Sequence, residues 1–88
     1  MSEKDTLLEF PCDFPVKIVG KADEGFEGTV TEIVARHAGP LAPDHVRSRP
    51  SRDGKFIALT CLIRAQSKAQ LDGLYEELSR HPDILMVL

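Results

Sequence analysis

The run Lys55 to Ala65, KFIALTCLIRA, constrains this chain more than any other segment. It is the longest β-like stretch and follows the tight-turn signal Asp53-Gly54. Alternation places Ile57, Leu59, Cys61 and Ile63 on one face and Phe56, Ala58, Thr60, Leu62 and Arg64 on the other. The second face is more apolar than water favours, so part of it is expected to meet another surface.

Ahead of it, Val16 to Lys21 alternates Val16, Ile18 and Gly20 against Lys17, Val19 and Lys21, the period of a strand. Asp23 is placed to cap a helix whose stripe is Phe26, Val30, Ile33, Val34 and His37, and Gly39-Pro40 stops it. Leu41 to Asp53 is irregular and proline-rich, with a short strand around His45 to Arg49 that proline assigns to an edge. After the long strand, Ser67 and Gln70 form a capping box opening a helix with the stripe Leu71, Leu74, Tyr75 and Leu78; Pro82 ends it and Ile84 to Leu88 reads as a last strand. In that strand Ile84, Met86 and Leu88 oppose Leu85 and Val87, so regular alternation leaves apolar side chains on both faces.

The order β-α-β-β-α-β predicts an α+β, ferredoxin-like fold: a four-stranded antiparallel sheet with two helices on one face and the first and third strands central. At 88 residues and 42% apolar side chains the chain makes one domain, read as a core over 15–88 behind an N-terminal extension over 1–14. The extension carries Leu7, Leu8, Phe10 and Phe14, four large apolar residues outside the expected core. They are expected to fold back over the open sheet face or to meet another chain.

A formal charge of −3 argues against generic nucleic-acid binding. The first strand has no aromatic residue and the third only Phe56, unlike the base-stacking strands of RNA-binding domains of the same order. The opening MSEKDTLLEF has neither the cationic start nor the apolar run of a secretion signal, and no segment is long and apolar enough to span a membrane, so the expected location is cytoplasmic. His37, His45, His81, Cys12 and Cys61 form no metal-ligand spacing, and no nucleophile, base and orienting acid come together; neither cofactor nor catalysis is expected. Cys12 is read as a loop residue and Cys61 as a strand residue, unpaired in a reducing compartment. Glu76 and Glu77, adjacent on a helix, are read as a solvated face.

Charge is nevertheless segregated. Residues 1–32 hold eight acids and three bases, whereas residues 33–68 hold seven bases against Asp44 and Asp53. Arg47, Arg49, Arg52 and Lys55 form a candidate anion or partner patch, set against the plainer role of positive charge in keeping an edge strand from pairing. Gly20, Lys21 and Ala22, leading into the first helix, are a candidate ligand loop for an anionic metabolite. Phe56, Ala58, Thr60 and Leu62 are a candidate interface for a second copy or a partner protein.

LLEFPCDFPVKIVG over Leu7 to Gly20, Arg36-His37-Ala38, Gly54-Lys55-Phe56, LYEEL and the closing MVL occur in an order and spacing that resemble the YbeD-like family of small bacterial proteins. The resemblance spans almost the whole chain. It implies a cytoplasmic ferredoxin-like domain similar in shape to the ACT-like domains that bind amino acids in metabolic enzymes. The apolar open face and the lack of a catalytic constellation give the expected role, a non-enzymatic regulatory or interaction domain that uses its sheet face for self-association or partner docking, with amino-acid or organic-acid sensing as the alternative. Pro40 to Arg52 departs from the family as a longer, more arginine-rich loop.

Overall fold

The structure, a computed structural model, describes residues 9–88. Its elements are β1 (Cys12–Lys21), α1 (Phe26–Ala38), a 3-10 turn (Pro43–His45), β2 (Val46–Pro50), β3 (Phe56–Ala65), α2 (Lys68–Arg80) and β4 (Ile84–Val87). The strands form a four-stranded antiparallel sheet in the order β2-β3-β1-β4, the expected ferredoxin-like arrangement with β1 and β3 central.

One face of the sheet and both helices enclose the core. Val16, Ile18, Leu59, Cys61 and Ile63 meet Val30, Ile33 and Val34 of α1 and Leu71, Leu74 and Leu78 of α2. The two helical stripes and the alternation of β3 therefore predict the layer directly. α2 begins at Ser67, whose Oγ accepts from the Gln70 N–H at 3.1 Å, and α1 ends at Gly39, whose φ of 84° suits a residue without a Cβ. Asp23 does not cap α1. The N-cap is Gly25, and the Asp23 carboxylate, two residues before that cap, accepts the Gly25 N–H at 3.2 Å.

β1 is longer than alternation over Val16–Lys21 implies, and it absorbs part of the expected extension. Cys12, Asp13, Phe14 and Pro15 pair with Ala65, Arg64, Ile63 and Leu62. Proline is unusual in a central strand because it lacks the ladder donor. Here the Lys17 N–H bonds toward β4, at the Leu88 carbonyl 3.2 Å away, and two residues earlier Pro15 turns its nitrogen to the same side. The β4 pairing reaches only as far as Lys17, so no donor is required there. Phe14, in register with Ile63, lies on the helix side with the core, where Phe10 also packs, rather than over the open face. Leu7 and Leu8 lie outside the described residues.

In β4 the register to β1 shifts, pairing Val19 with Met86 and Gly20 with Ile84. Leu85 is the extra residue of a bulge, and the bulge resolves the conflict in regular alternation: Ile84 and Val87 both face the helices, while Met86 shares the open face with Val19. Gly20 is required beside it, because a Cβ there would lie 2.2 Å from Cε1 of Phe26 and 2.5 Å from the Asp83 carbonyl.

Candidate functional site

Register alone builds the open face. Across the sheet, Arg49, Ala58, Val19 and Met86 form one row, and Arg47, Thr60 and Lys17 form the next. Beyond them, Phe56 pairs with Lys21, Leu62 with Pro15 and Arg64 with Asp13. Along the strands the same side chains make columns: cationic on β2 (Arg47, Arg49), apolar or small on β3 (Phe56, Ala58, Thr60, Leu62), cationic around Val19 on β1 (Lys17, Lys21), and apolar at β4 (Met86). A depression of about 300 Å³ lies among Lys17, Val19, Arg49, Phe56 and Ala58.

Five bases (Lys17, Lys21, Arg47, Arg49, Arg64) face one acid, Asp13, so the chain's negative total conceals a positive face. Asp13 is bonded to Arg64 at 3.2 Å. Among the described residues Lys17, Lys21, Arg47 and Arg49 have no ion-pair partner. Large apolar side chains are exposed on the same sheet, including Phe56 at 40%, Leu62 at 36% and Met86 at 51%. The sequence grouped Arg47 and Arg49 with Arg52 and Lys55; the fold separates them. Arg47 and Arg49 stand on the sheet, while Arg52 and Lys55 sit in the turn after it. Lys17 was missed and Lys21 was read only as part of the ligand loop, although the alternation that placed Val19 opposite Ile18 carried both to the same face.

In the Gly20-Lys21-Ala22 segment two backbone amides are already engaged. Gly20 is buried under Phe26, the Lys21 N–H donates to the Asp83 carbonyl at 3.2 Å and the Ala22 N–H to the Lys55 carbonyl at 2.9 Å, so the amides an anion needs are engaged in the sheet.

The titratable groups off this face serve the fold. The Glu77 carboxylate bridges the helices, bonded to the Arg36 guanidinium and to Nε2 of His37 at 2.7 Å, which removes Glu77 from the freely solvated face expected of it. Glu76 pairs along the helix with Arg80 at 2.5 Å. Burial, with a smaller contribution from Glu27, pushes the Cys61 thiol up to about 11, away from nucleophilic use. Cys12 and Cys61 are free thiols. Cys12 pairs with Ala65 and Cys61 with Val16, so they stand four positions apart along neighbouring strands, about 13 Å at 3.3 Å per residue and too far for a bridge. No cluster of His, Cys, Asp and Glu among the described residues could hold a metal, and no described helix is long and apolar enough to cross a membrane.

Residues 5–88 match a family described as protein of unknown function (DUF493). The chain belongs to the DUF493 family. It is 44% identical over 85 residues to a UPF0250 protein of Nitrosomonas europaea, covering 97% of this chain and 98% of that one. It is 48% identical over 86 residues to a UPF0250 protein of Chromobacterium violaceum, covering 98% and 97%. A UPF0250 protein of Bordetella pertussis is 41% identical over 85 residues, covering 97% and 93%. DUF493 membership agrees with the YbeD-like resemblance read from the sequence, and the fold above is the frame in which this member's face is presented.

Proposed function

We propose that the chain is a non-enzymatic interaction domain that docks a partner protein through the open face of its sheet. The observation that carries this reading is the coincidence, on one face, of four cations without ion-pair partners among the described residues and exposed Phe56, Leu62 and Met86. Apolar area supplies the drive to associate, and unpaired cations supply the sign of the partner. That sign argues against a second copy of the chain. A two-fold contact sets the same patch against itself, and here it would set a face bearing Lys17, Arg47 and Arg49 against the same cations of the other copy. An acidic protein surface is the complementary one. Small-anion sensing has less support, since the Lys21 and Ala22 amides are engaged.

The test is a photo-crosslinking amino acid placed at Leu62 on the sheet and, separately, at Ser79, exposed on α2. In the native cell the Leu62 probe is expected to yield an adduct with another protein and the Ser79 probe none. Equal adducts from both positions, or only a doubled mass of the chain itself at Leu62, would overturn the reading.

A further inference from the structure

Resting on that reading, we infer that the occupant of the face is an acidic amphipathic α-helix of a partner protein, laid along β3. The columns carry the inference. Phe56, Ala58, Thr60 and Leu62 form an apolar line on β3, between the cations of β2 and those of β1. The line from Phe56 to Leu62 runs about 20 Å at 3.3 Å per residue, the length of roughly 13 helical residues. The flanking cationic columns belong to strands two spacings apart, about 10 Å. A helix is about 10–12 Å across with its side chains, so its apolar stripe would rest on β3 while acids on either flank reach Arg47 and Arg49 on one side and Lys17 and Lys21 on the other.

The relief of the face fits the same object. Ala58 and Thr60, the small residues at the middle of the line, let a helix approach the sheet, and Phe56 and Leu62 rise at its ends. The depression bounded by Lys17, Arg49 and Phe56 lies across that path, lined from β1, β2 and β3. Arg64, already bonded to Asp13, closes the cationic track beyond Leu62.

An added strand is the competing mode of peptide capture, and both edges oppose it. β2 ends in Pro50 and carries two arginines, and β4 is four residues long and follows a bulged register. The bound helix would make a third layer, leaving the sheet covered by helices on both sides.

An unbiased display library of 16-residue peptides, selected on the whole protein and counter-selected on the Arg47→Glu/Arg49→Glu variant, tests the inference. Amide NMR spectra first establish that this variant keeps the native fold; if it does not, Arg47→Gln/Arg49→Gln replaces it. The expected survivors carry Leu, Ile or Phe at three- and four-residue spacing with Asp or Glu flanking the stripe. They become helical on binding, shift the amides of Val19, Ala58 and Thr60, and bind the charge variant at least tenfold more weakly. Survivors with strand alternation that shift the edges of β2 or β4, survivors that are neutral or basic, or no survivor would overturn it. A ten-nucleotide oligouridine that shifts the same amides and displaces the peptide would reassign the face to single-stranded nucleic acid. The two readings fail separately: a crosslinked partner at Leu62 without helical survivors removes the helix alone, whereas no adduct at Leu62 removes the docking face itself.

Discussion

Gly20 is the residue at which the fold tolerates least. The Phe26 ring and the Asp83 carbonyl occupy the space of its missing Cβ, and the carbonyl belongs to backbone that accepts the Lys21 N–H. Gly20→Ala is therefore expected to lower stability by about 1–3 kcal/mol through overpacking, read as a reduced urea midpoint. A wild-type midpoint would show that Phe26 and the β4 bulge yield freely. Asp53 acts by charge. Its carboxylate accepts from the Ser51 hydroxyl at 2.7 Å and the Lys55 N–H at 3.1 Å, and these bonds, the Ser51 one first, hold it below its ordinary value near 3.8. The contribution of a lowered acid is complete above its ordinary value and disappears as pH falls through the lowered one. Asp53→Asn should thus lose a little thermal stability at pH 7 and lose less relative to wild type as the solution is taken below pH 4, in paired melting curves. Cys61, wholly buried and pushed up to about 11, should stay unmodified by a thiol reagent at pH 8 while Cys12 reacts. Equal rates for the two thiols in native protein would contradict that packing.

At the scale of elements, Gln70 joins the helices. Its Nε2 donates to the His37 carbonyl at the end of α1 at 2.9 Å, and its Oε1 accepts from the Gln66 N–H before α2 at 2.6 Å. Gln70→Ala removes both, each worth about 0.5–1.5 kcal/mol net, so a loss of about 1–3 kcal/mol is expected, with faster hydrogen exchange at Gln66. A loss confined to the first turn of α2, with the α1 end unchanged, would make it a local cap only. The capping box at Ser67 and Gln70 was legible because it spans three residues; the reach to His37 was not, because it spans 33. Glu77 was misread for the same reason, its partners being 40 and 41 residues away. The helical stripes and the parity of β3 were readable since each is set by local period and one shared core. β4 was not, because a bulge changes parity without any glycine or proline inside the strand to announce it. β1 was cut short by Pro15, whose place in a central strand depends on where a neighbouring strand stops. The open face was half legible: Phe56, Ala58, Thr60 and Leu62 lie in one run, whereas Lys17, Lys21, Arg47 and Arg49 come from β1 and β2 and meet that run only through register.

For the whole molecule, the decisive quantity is the balance between apolar area and like charge on one face. Two copies set face to face would bury Phe56, Leu62 and Met86, which favours association, and oppose two sets of five bases, each relieved by a single acid, which resists it. Salt separates the two effects, because the screening length falls from about 30 Å at 0.01 M to about 3 Å at 1 M while burial of apolar surface does not weaken. The protein is accordingly expected to sediment as a monomer at low ionic strength and to associate more as sodium chloride rises, the reverse of a dimer held by ion pairs. Neutralising the face by Lys17→Gln, Arg47→Gln and Arg49→Gln should shift association into low salt, and Lys68→Gln with Arg80→Gln on α2 should leave it where it was. Association that weakens with added salt, or that responds to the α2 changes instead, would place the self-contact elsewhere and release the sheet face from the repulsion that selects an acidic partner.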